Sequence, residues 1–76
     1  MKNKQEKFYR LTIKDRTTNT AEAEPLAFHT ESAALDRAYK IMETYGGIGG
    51  MTQVHDSYIL WNEDDTTSVE VNTILI

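Results

Sequence analysis

Seventy-six residues, 39% hydrophobic and 26% charged, fit one small globular domain near the lower size limit for a self-sufficient apolar core, and fit neither a disordered polyampholyte nor a membrane span. The chain holds no cysteine, which removes disulfides, thiol catalysis and cysteine-ligated zinc and leaves core burial as the source of stability. Its formal charge of −4 hides a division: residues 1–16 hold six bases against two acids (+4), whereas residues 17–76 hold two bases against ten acids (−8).

Residues 1–6 are polar and charged and are expected to form a frayed tail; with no apolar signal region and no bilayer-length apolar run, the chain reads as a cytoplasmic, unprocessed single domain over 1–76. From Lys7 to Lys14 the residues alternate. Tyr9, Leu11 and Ile13 share one face and Phe8, Arg10, Thr12 and Lys14 the other, as in a half-buried strand. Asp15 to Thr20 is short and polar and predicts a hairpin loop. The returning strand, Glu22 to Phe28, contains Pro25, which cannot donate to a ladder; this places it at a sheet edge, with Leu26 and Phe28 expected to turn inward.

Thr30 is a fitting N-cap for a helix from Glu31 to Tyr45, and Glu31 suits the positive end of the helix dipole. Ala34, Leu35, Ala38, Ile41, Met42 and Tyr45 recur at helical spacing as one apolar stripe; Asp36, Arg37, Lys40, Glu43 and Thr44 lie opposite, with Asp36 and Lys40 spaced to pair. Gly46 supplies the stop. The run 46–50 (Gly, Gly, Ile, Gly, Gly) follows a helix rather than preceding one and lacks a Gly-Lys-Ser/Thr ending, so it reads as a mobile connector and not a phosphate cradle. Met51 to Trp61 is strand-forming around a polar break at His55–Asp56–Ser57, giving one bent strand or two short ones. Asn62 to Thr67 predicts an acidic hairpin loop. Ser68 to Ile76 predicts a closing strand too apolar to dangle. The expected fold is α+β: an antiparallel sheet of about four strands in ββαββ order, with the helix across one face.

No catalytic or metal-binding motif emerges. His29 and His55 lack ligand spacing, Glu63, Asp64 and Asp65 lack the alternating ligands and central glycine of a calcium loop, and a set of Ser32 or Ser57 with His55 and Asp56 is opposed by strand neighbours pointing to opposite faces; neither cofactor, metal nor enzymatic activity is expected. Phe8, Arg10 and Lys14 could stack and hold single-stranded nucleic acid, but the acidic remainder opposes phosphate. Within Tyr58–Trp61, either Tyr58 and Leu60 or Ile59 and Trp61 must face away from the helix. The second choice, with Ile74 and Ile76, would leave an apolar sheet face suited to a homodimer.

The small, cysteine-free, acidic chain with strand pairs around a helix beginning Thr30, Glu31, Ser32, Ala33, Ala34, Leu35, Asp36, Arg37, Ala38 resembles phage-encoded inhibitors of host machinery, anti-CRISPR proteins among them. That resemblance implies a protein without catalysis that occupies a surface of a large nucleic-acid enzyme, such as a CRISPR effector. From the charge itself, the expected partner is a protein with a basic, nucleic-acid-binding surface, and not a membrane. Expected contacts are Glu22 and Glu24 on the edge strand, Trp61 as an aromatic anchor, and Glu63, Asp64 and Asp65 in the hairpin. The alternatives are a homodimeric accessory protein and a small single-strand binder.

Overall fold

A computed structural model describes residues 6–75, in the order β1 (Lys7–Asp15), β2 (Thr20–Phe28), α1 (Glu31–Thr44), β3 (Ile48–Val54), β4 (Ser57–Asn62) and β5 (Thr67–Leu75). The fold is α+β, with one helix on a five-stranded antiparallel sheet of order β2-β1-β5-β4-β3. The strand count exceeds the expected four because Met51–Trp61 divides: β3 and β4 turn about His55 and Asp56, with His55 at φ +56°. Of the tail expected over 1–6, residues 1–5 lie outside the described residues, as does Ile76 of the expected closing strand.

Alternation along the strands sets the core. Leu11 of β1, Leu60 of β4 and Val69 and Val71 of β5 are fully buried beneath Ala34, Ala38, Ile41 and Met42 of α1, with Tyr9, Ile13, Phe28, Leu35 and Tyr58 packed around them. Each large aliphatic side chain so buried contributes about 1.5–3 kcal/mol. Tyr45, expected in the helical stripe, stands 45% exposed past the helix end.

Caps close the helix as its sequence requires. Thr30 Oγ1 accepts the Ala33 N–H at 3.2 Å. At the other end the Gly47 N–H reaches the Met42 carbonyl at 2.8 Å and the Gly46 N–H the Glu43 carbonyl at 3.3 Å, with Gly46 at φ +100°. The expected Asp36–Lys40 pair does not form; Arg37 instead binds Glu24 of β2 at 2.8 Å.

Two further expectations are corrected. β2 is an edge strand, but Leu26 does not turn inward and is 67% exposed. Arg10 pairs with Ala27 and Thr12 with Ala23, so Glu24, Pro25 and Leu26 all stand opposite Leu11, and the irregularity around proline turns Leu26 out. The 46–50 run is not all connector: Gly46 and Gly47 make the turn, while Ile48, Gly49 and Gly50 begin β3. A Cβ on Gly49 would lie 2.6 Å from the Asn62 carbonyl oxygen, and one on Gly50 would overlap the Trp61 ring. These glycines permit close approach within a sheet.

Candidate functional site

Antiparallel pairing gathers three connections at one end of the sheet. Asp15 stands opposite both Thr20 and Thr67, and Asn62 opposite Ile48, so the β1–β2 loop, the β4–β5 loop and the α1–β3 turn lie together. The C-terminal turn of α1 carries Glu43 and no basic residue, leaving the negative end of the helix dipole uncompensated by its own side chains. Asn62, 2% exposed, fixes the hairpin against it. Its Nδ2 donates to the Tyr45 carbonyl at 3.2 Å and to Thr66 Oγ1 at 2.9 Å, and its Oδ1 accepts the N–H groups of Thr66 at 2.9 Å and Thr67 at 3.1 Å. Both amide protons and both oxygen lone pairs are thereby used. The result is an acidic pole: Glu43, Glu63 and Asp64 are exposed at the same end of the fold as exposed Tyr45 and Ile48.

The residues expected from sequence do not form one cluster. Glu63 and Asp64 are exposed and form no ion pair among the described residues. Asp65, at φ +57°, accepts from Arg16 Nη1 at 2.9 Å, and the Arg16 N–H bonds the Thr66 carbonyl at 2.8 Å; these contacts clamp the two hairpin loops together. Glu22 is exposed two residues from the same end, opposite Ile13, whereas Glu24 lies deeper along β2 and is bound to Arg37. Trp61 is half-buried on the sheet face away from α1, its indole lying over Gly50. Leu60 and Tyr58 pack toward the core, so Ile59 and Trp61 are the outward pair. Glu43, Tyr45 and Ile48 were not among the expected contacts; the absence of any base in the last helical turn was the signal that could have pointed to them.

On the open face Arg10 is exposed. Phe8 packs against His29 with ring centroids 4.9 Å apart and planes tilted by 55°, and Lys14 is paired with Glu70. A shallow cleft of about 310 Å³ lies beside that pair, lined by Lys14, Asn19, Ala21, Ile59, Ser68 and Glu70, at the small end of ligand-pocket sizes. His29 follows β2 and His55 follows β3, which puts the two histidines at opposite edges of the sheet. Among the described residues no three His, Asp or Glu side chains gather as metal ligands do, and no helix is long and apolar enough to cross a membrane.

Two ionisable groups are displaced from their usual behaviour. The Thr17 hydroxyl, donating at 2.6 Å, and the Thr17 N–H, at 2.9 Å, hold the Asp15 carboxyl below the ordinary carboxylate range. Tyr58 Oη donates to Glu31 Oε1 at 3.0 Å, which raises the phenol above its ordinary range because ionisation would break the bond beside a carboxylate. No family model, curated protein or solved structure matches the chain.

Proposed function

We propose that this chain is a non-catalytic binding module whose acidic pole occupies a basic, nucleic-acid-binding surface of a partner protein. One observation carries this reading: Glu43, in a last helical turn without a base, and exposed Glu63 and Asp64, which form no ion pair among the described residues, lie at the same end of the fold as exposed Tyr45 and Ile48. An apolar centre inside a charged rim is how compact interfaces divide affinity from orientation. A field of this sign repels phosphate and is drawn to surfaces that bind it. Pairing of Lys14 with Glu70 weakens the opposite reading, in which the open face itself holds nucleic acid. The resemblance to phage-encoded inhibitors makes a nucleic-acid-processing complex, a CRISPR effector for example, the partner class to test first. Trp61 and Glu24 are peripheral in this scheme, and Glu22 extends the rim.

The test is affinity capture from a bacterial lysate with wild-type chain and with a Glu63→Lys/Asp64→Lys variant as baits. Wild type is expected to retain a nucleic-acid-binding protein, to lose it as salt rises, and to compete with that protein's nucleic acid; the variant is expected to retain none. Equal capture by both baits removes the pole from the interface.

A further inference from the structure

We propose that two copies of the chain join along the outer edge of β3, giving a continuous ten-stranded antiparallel sheet, twice the five strands of one copy, about a two-fold axis at Thr52. The two edges of the sheet differ in chemistry. β2 carries Glu22, Glu24 and the irregularity at Pro25, all of them devices that discourage addition of another strand. β3 reads Ile-Gly-Gly-Met-Thr-Gln-Val, with neither a charge nor a proline, and among the described residues no strand pairs with its outer side. Its apolar side chains are also exposed: Met51 at 42% and Val54 at 47%, with the Tyr39 hydroxyl reaching Met51 Sδ at 3.7 Å. A row of open backbone donors and acceptors flanked by exposed apolar groups is a template for a further strand.

Charge selects a second copy as that strand. Each chain carries −4 overall, with acids on β2, on α1 and in the β4–β5 loop, so two copies repel where those elements face each other. The uncharged edge admits an identical chain without setting like charges opposite, whereas a basic partner is drawn to the acidic pole. Pairing of β3 with β4 is regular from Gly50 to Val54, and Thr52 is the centre of that stretch. An antiparallel two-fold there sets Thr52 against Thr52 of the partner subunit, a favourable cross-strand pair. It also sets Met51 against Gln53 of the partner subunit.

The absence of cysteine makes the register directly testable. Facing Cα atoms in an antiparallel pair lie about 4.5–5.5 Å apart, within disulfide reach. Thr52→Cys is expected to cross-link into a dimer under mild oxidation, and Glu22→Cys on the other edge is expected not to. Light scattering of the wild-type chain at roughly 100 μM should give twice 8.7 kDa. Thr52→Lys, which puts like charges face to face, should weaken self-association at least about tenfold with unchanged circular dichroism. A monomeric wild type, a dimer indifferent to Thr52→Lys, or cross-linking no greater at position 52 than at 22 would overturn the proposal. Mass, cross-linking and self-association are all read on the chain alone, without a basic partner, so they are independent of the proposed function.

Discussion

The side-chain amide of Asn62 and the backbone carbonyl of Tyr45 are joined at 3.2 Å, and this bond couples the acidic hairpin to the end of the helix. The same amide holds Thr66 and Thr67 through three more hydrogen bonds, all in a largely dry setting. Asn62→Ala should destabilise the fold by about 2–4 kcal/mol, since it leaves buried backbone groups unpaired as well as removing their partner. Urea denaturation measures it. A loss under about 0.5 kcal/mol would mean that the hairpin is held by other contacts.

Gly50 and Trp61 make the second prediction. With the indole lying where a Cβ would project, Gly50→Ala must push the ring aside; about 1–3 kcal/mol of stability should be lost, and tryptophan emission should shift to the red. Unchanged emission and midpoint would show that the ring relaxes without cost.

Stability should respond to pH through Tyr58 and Asp15 in opposite directions. The Tyr58 phenol is raised in the folded chain, so its bond to Glu31 stabilises fully below the ordinary phenol range and is lost as pH rises through the folded value. Tyr58→Phe should flatten this alkaline decline. Asp15 is lowered in the folded chain, so its contribution is present above the ordinary carboxylate range and is lost as pH falls through the folded value. Asp15→Asn should flatten the corresponding acid limb. Denaturation midpoints measured across pH for both variants decide the matter: parallel curves for variant and wild type would contradict the assignment.

Much of the scaffold was legible because burial leaves a period. Alternation of Tyr9, Leu11 and Ile13, and the spacing of Ala34, Ala38, Ile41 and Met42 behind Thr30, reflect faces that the structure does bury. Only the start of β3, Ile48 to Gly50, was hidden, for a physical reason. Gly49 and Gly50 look like a flexible linker, yet each is small because a neighbour, the Asn62 carbonyl or the Trp61 ring, occupies the place of a Cβ. Such a need comes from tertiary contact and leaves no periodic trace. Tyr45 continues the helical spacing but falls beyond the last helical residue, so its ring turns to solvent. The acidic hairpin was visible as composition. Its partnership with the helix end was not, because it depends on Asn62, a residue whose type suggests only a turn.

Competition for a basic surface tests the central claim most directly. Once a nucleic-acid-binding partner has been captured, the wild-type chain should displace its nucleic acid in a titration followed by fluorescence anisotropy. Glu63→Lys/Asp64→Lys should shift that displacement to at least about tenfold higher concentration, or about 1.4 kcal/mol. Displacement by the variant at the same concentration as wild type would contradict the account.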